Sequence, residues 1–147
     1  MSHDGLLATL EDADAAGVFQ LPAHCRGAVR RAAAEAGFAC FEVSLADCSR
    51  LDQALARLGN GLDFPGWYGH NLDALKDCLT DLSWVEAAGY VLFIDHAGPF
   101  LVREPESFAV LEEVLAVAVA EWRALGYPMW IFFDAQATGL AAFAATG

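Results

Sequence analysis

Basic residues are scarce. The 147-residue chain carries 8 Lys and Arg against 20 Asp and Glu, a formal net charge of −12. Binding nucleic acid through its phosphates needs a basic surface, so this balance argues against that class, and equally against an anionic membrane surface. Long apolar runs are missing too. The longest, Val114 to Ala120, falls well short of the ~18 residues of a membrane span. The N-terminus has no basic region and no apolar run of signal-peptide length. Cysteines stand singly at 25, 40, 48 and 78, with no C-x-x-C. Without an export signal they read as reduced thiols, and the expected location is the cytoplasm. Cys40 and Cys78 fall at positions that look buried or half buried, as core thiols would.

Motifs for common chemistries are also absent. His3, His24, His70 and His96 show no metal-ligand spacing. Gly59-Asn-Gly61 lacks the third glycine of a dinucleotide fingerprint and a following phosphate-facing helix start. There is no Walker pattern and no G-x-S-x-G, so no cofactor is expected. The best enzymatic constellation is Asp95-His96 with Asp134, at the expected carboxyl ends of two neighbouring strands. A histidine beside carboxylates can serve as a general base there. The same residues can equally cap the sheet and satisfy loop amides.

What is present is a greasy, acidic globule. Hydrophobic residues make up 56% and charged residues 19% of the chain, enough for one domain spanning 1–147 with a single core. The charge is uneven. Twelve of the acids lie beyond residue 62, against only Lys76, Arg103 and Arg123. Such a surface attracts and steers a basic partner.

Read in order, residues 1–16 are acidic and peripheral, and Gly17–Leu21 suits a short edge strand closed by Pro22. Residues 23–36 suit a helix ended by Gly37. Phe38–Leu45 alternates as a strand. Leu51, Leu55 and Leu58 mark a short helix ended by Gly59-Asn-Gly61. Tyr90–Asp95 is a nearly continuous apolar run, fit for a central parallel strand. Residues 97–104 read as a loop, Pro105–Leu125 as a long helix with Phe108, Leu111, Leu115 and Trp122 inward, and Tyr127–Phe133 as a last strand. The Ala/Gly-rich tail from 135 is expected to fray or form a weak helix. The fold class is therefore α/β: a small parallel sheet of about three strands, with room for an extra N-terminal edge strand, flanked by helices.

The focal stretch is Phe64-Pro-Gly-Trp-Tyr-Gly-His-Asn-Leu-Asp-Ala-Leu-Lys-Asp-Cys-Leu-Thr-Asp-Leu82. A loop of Pro, Gly and aromatics runs through Asn71, a good N-cap, into a helix. At about 100° per residue, Leu72, Leu75, Cys78, Leu79 and Leu82 share one side and Asp73, Asp77 and Asp81 the other. Like charges at i,i+4 each destabilise a helix by about 0.2–0.5 kcal/mol. Only Asp73 has help from the positive end of the helix dipole. A local cost without local compensation marks a place where function can override foldability. In an acidic protein such a face can also be merely solvated. Trp67 and Tyr68 sit between Gly66 and Gly69. Tyr and Trp are enriched at the centres of protein interfaces, although a lid packed back on its own domain uses them too. Glu121 lies near the C-terminal end of the long helix, where the dipole opposes a carboxylate; a solvated or salt-bridged role is the plain alternative.

This stretch resembles the barstar family, intracellular protein inhibitors of secreted barnase-type ribonucleases. The family shows an aromatic pair, Gly, any residue, Asn-Leu-Asp-Ala-Leu, any residue, Asp-Cys-Leu at this place. The likeness extends more weakly over about 38–133 and leaves residues 1–37 as an N-terminal extension. The resemblance implies no catalytic residue and no metal. It implies a protein partner contacted by Trp67, Tyr68, Gly69, Asn71, Asp73, Asp77, Thr80 and Glu121, with Asp77 entering the ribonuclease active site where a substrate phosphate would lie. The chain departs from the family at Gly66, Trp67, Lys76 and Asp81. The expected function is that of an immunity-type inhibitor of a basic secreted ribonuclease or ribonuclease toxin. Two alternatives stay open: an interaction module of the same fold for another basic protein, and a small hydrolase using Asp95, His96 and Asp134.

Overall fold

The computed structural model of the chain describes residues 3–66, 68–69, 71–137 and 140–143. Two apolar runs set the architecture. In β3 (Tyr90–Asp95) and β4 (Met129–Phe133), every residue from Tyr90 to Ile94 and from Met129 to Phe133 is buried. Strands of that kind need cover on both faces. They form the centre of a four-stranded, all-parallel sheet of order β1-β4-β3-β2, with β1 at Val18–Gln20 and β2 at Ala39–Ser44. The α/β class is as expected, and the N-terminal edge strand brings the count to four.

Side chains alternate across each strand and so divide the core into two layers. On one face lie α1 (His3–Glu11) and α2 (Arg26–Glu35). The Trp130 indole N–H donates to the Leu10 carbonyl at 2.9 Å, and the Arg26 guanidinium sits 4.4 Å from the centroid of the Phe93 ring. Phe93 and Phe132 stack at 6.0 Å on this side. On the other face lie α3 (Leu51–Gly61), α4 (Leu72–Asp81) and α6 (Pro105–Ala124). There Trp122 packs on Tyr90 with ring centroids 4.9 Å apart, and Phe108 packs on Phe133 at 5.0 Å. No helix among the described residues is long and apolar enough to cross a membrane.

Three local expectations are corrected. The segment 1–16, expected to be peripheral, contributes to the core from α1 onward: Leu6 and Leu10 are 1% and 0% exposed, because the second face of the sheet has to be covered. The expected loop at 97–104 contains α5 (Gly98–Arg103). Its Pro99 stands in the first turn, where a missing N–H costs nothing, and Phe100 is fully buried. Helix α3 ends at Gly61, as expected, with Gly59-Asn-Gly61 forming its last turn. A Cβ at Gly61 would lie 2.5 Å from Val43 Cγ2, so this glycine is also a close-approach residue against β2. The tail neither frays nor coils over 140–143. Phe143 is buried against Phe19, Trp130 and Phe132, and Gln20 exchanges backbone bonds with Ala141 and Phe143 at 2.9 and 2.8 Å. Among the cysteines Cys78 is buried as expected, whereas Cys40 is exposed on β2.

Leu10→Ala tests whether the N-terminal layer belongs to the core. The expected loss is about 2–5 kcal/mol in urea unfolding, whereas a peripheral segment would lose a few tenths.

Candidate functional site

Helix α4 is secured at both ends and along one side. The Asn71 side-chain oxygen accepts from the Ala74 amide at 2.8 Å, which supplies the N-cap. Leu75, Cys78 and Leu79 are buried against the core. At the C-terminal end Leu82 adopts a left-handed conformation (φ 44°) and returns its N–H to the Cys78 carbonyl at 3.2 Å. A non-glycine residue pays on the order of 1–2 kcal/mol for that conformation; the burial of Leu82 to 1% exposure holds it there. The next open carbonyl, of Leu79, accepts from the Trp122 indole N–H at 2.7 Å. This buried bond fixes the register of α6 against α4.

The opposite side of α4 carries the acids. Asp73, Asp77 and Asp81 are all exposed, and among the described residues no ion pair or hydrogen bond engages the carboxylate of any of them. Eight residues at 1.5 Å rise space the first and last by about 12 Å. Thr80, half-buried, donates its hydroxyl to the Lys76 carbonyl at 2.8 Å. Glu121, on the adjacent α6, is exposed and lies 3.8 Å from Lys76 Nζ. The structure thus brings Asn71, Asp73, Asp77, Thr80 and Glu121 onto one surface, with Gly69 exposed at its edge.

Tyr68 is placed differently from the expected exposed contact. It is 8% exposed, its hydroxyl donates to the Leu55 carbonyl at 2.9 Å, and its ring meets Phe64 edge-on at 4.8 Å. The opening that admits the ring is Gly59, where a Cβ would come within 2.6 Å of Tyr68 Cε2. Gly59-Asn-Gly61 therefore has a packing role that sequence reading missed. Trp67, named with Tyr68, lies outside the described residues. Phe64 in turn meets Trp84 at 6.0 Å, and Trp84, 37% exposed, was not singled out from the sequence. A groove of about 260 Å³ opens beside the loop between Asn60, Phe64, Pro65 and Gly66.

The second constellation has a structural use. Both carboxylate oxygens of Asp134 accept backbone amides, from His96 at 2.7 Å and Ala97 at 3.1 Å. Asp95 pairs with Arg26, which also holds Glu42 at 2.7 Å. A cavity of about 170 Å³ lies among Arg26, Phe93, Asp95, His96, Phe133 and Asp134. The carboxylates at its rim are engaged, Asp134 by the two backbone amides and Asp95 by Arg26. The Cys48 and Cys78 thiols are pushed up by burial, with Asp77 and Asp81 adding to the effect at Cys78; neither is an activated nucleophile.

The family profile described as Barstar (barnase inhibitor) matches residues 38–134, about two-thirds of the chain. The chain belongs to the barstar family. No curated protein matches it. The barstar segment begins one residue before β2 and ends one residue after β4, so it takes in α3, α4, α6 and the whole acidic surface. It leaves α1, β1 and α2 outside.

Burial, with Cys78 nearby, holds the Tyr68 hydroxyl protonated far above its usual range. The fold favours the neutral form. Its contribution is therefore complete below the unfolded value of about 10 and is lost as the pH rises above it. Urea unfolding across that range is expected to show stability falling at alkaline pH. In Tyr68→Phe the fall is shallower, and about 0.5–1.5 kcal/mol is already missing at neutral pH. Gly59→Ala, which drives a methyl into the same ring, is expected to cost about 1–3 kcal/mol in the same assay.

Proposed function

We propose that this chain is a stoichiometric protein inhibitor of a secreted guanyl-type ribonuclease or ribonuclease toxin, acting from the cytoplasm and performing no chemistry itself. The observation that carries the reading is the row of unengaged carboxylates on α4, on a helix fixed at both ends within the barstar-family segment. A ribonuclease active site has to hold phosphates, so it presents Arg, Lys and His. A rigid helix that offers a carboxylate there supplies a substitute anion through charge-assisted hydrogen bonds. Asp77, in the middle of the row, is the phosphate substitute in this reading. Asp73 and Asp81 flank it and speed encounter with a basic partner, and Glu121 bounds the contact on the α6 side, beside Lys76. Gly69, Asn71 and Thr80 form the edge of the contact, and Trp67 is an apolar anchor. Tyr68 supports the loop from beneath through Leu55.

Lys76, a cation within the acidic face, favours a second reading in which the same surface serves another basic protein. Titration of the chain into a panel of small basic ribonucleases at low salt separates the two. The first reading expects activity to vanish near one equivalent for at least one member, and inhibition of none would sink it. Asp77→Ala is expected to cost at least about 2 kcal/mol of binding. Asp81→Ala is expected to cost less than about 1 kcal/mol. Equal losses would mean that net charge alone is being read.

A further inference from the structure

Lys76 is the only lysine in the chain, and it stands among the three aspartates of α4. In isolation it would sit beside Asp77 and one turn from Asp73 and Thr80, and would cancel part of the field that makes the surface attractive. Glu121 lies instead across the seam between α4 and α6, with its carboxylate 3.8 Å from Lys76 Nζ, and both side chains are about half exposed at 46% and 47%. That placement is built into the core. Trp122, the next residue on α6, is locked to the Leu79 carbonyl by its buried indole bond, so α6 cannot slide to carry Glu121 away from Lys76.

We infer that Lys76 and Glu121 form a charge clasp that makes Lys76 a specificity-determining residue. The inference rests on the inhibitor reading for its biological target but not for its electrostatics. The clasp leaves the seam close to neutral and confines the attractive surface to Asp73, Asp77 and Asp81. A favoured partner aligns its cations along the roughly 12 Å of that row and places a neutral or acidic group, not a further cation, over the α6 side. A partner that sets an Arg or Lys over the seam gains no attraction there, because Glu121 is already paired with Lys76, and so binds less well than one whose cations lie along the row. Glu121 then acts through Lys76, as a positioning residue, and not as a direct ligand of the partner.

The test uses the full chain and a hexa-arginine peptide at low salt, with the carboxyl ¹³C shifts of the Asp and Glu side chains as the map. In the native chain the shifts are expected to concentrate at Asp73, Asp77 and Asp81, with Glu121 nearly still. In Lys76→Met, Glu121 is expected to join the responding set and the peptide to bind about two- to threefold tighter, the size of one unit charge at roughly 8 Å in water. In Glu121→Gln, the freed lysine is expected to turn to its own helix and shrink the responses of Asp73 and Asp77. The inference is overturned if Glu121 responds in the native chain as strongly as Asp73 and Asp81, if Lys76→Met changes neither map nor affinity, or if no localised response appears. Both substitutions are at half-exposed positions and leave the core intact. The ribonuclease panel is read separately. A chain that inhibits no ribonuclease but gives this map keeps the clasp and loses only the proposed target.

Discussion

Both faces of the β3–β4 pair are apolar, and both have to be kept from water. Most of what the chain builds follows from that constraint. One face is covered by α3, α4 and α6, the other by α1 and α2 with Phe143 wedged at the edge. The barstar-family segment supplies the first layer only. The second comes from residues outside it, so the N-terminal extension completes the core and is not an appendage. At about 25 cal/mol per Å² of apolar surface, a bare face with Val91, Phe93, Trp130 and Phe132 would be too costly to leave open.

The acidic surface depends on the same division of labour. Helix α4 can afford three like charges along one side because its other side is bound into the first layer and its ends are tied down by Asn71, Leu82 and Trp122. The local electrostatic penalty is small beside the burial of Leu75, Cys78 and Leu79. The helix backbone beneath the carboxylates is held in place, so in the proposed inhibitor little backbone ordering would remain to be done on association.

Much of this was legible from residue order. The period of α4, its cap at Asn71, the buried runs of β3 and β4, and the inward stripe of α6 all rest on local patterns that physics reads directly. The misplaced features rest on contacts distant in the chain. Residues 3–11 look like an acidic tail until the face above Trp130 needs Leu10. Tyr68 looks exposed between two glycines until Gly59, nine residues earlier, opens a place for its ring. Gly59 itself reads as part of a helix stop, and only its neighbour in space shows its packing role. The pairing of Lys76 with Glu121 depends on the register of two helices, which a buried indole sets.

The pairing of β1 with β4 carries a consequence for the order in which the molecule can form. Val18 lies opposite Ile131, so the first strand and the last are partners. The N-terminal segment therefore precedes its β4 partner by more than a hundred residues, and only the β2–β3 pair can receive its helices before β4 emerges. At about 5–20 residues per second, synthesis leaves it waiting on the order of ten seconds. Contacts of such long sequence separation slow folding, because loop closure must come before they stabilise anything. During that interval Leu6, Leu10 and Phe19 face water. Only when β4 pairs with β1 does Leu10 gain its bond from Trp130 and that face of the sheet become whole.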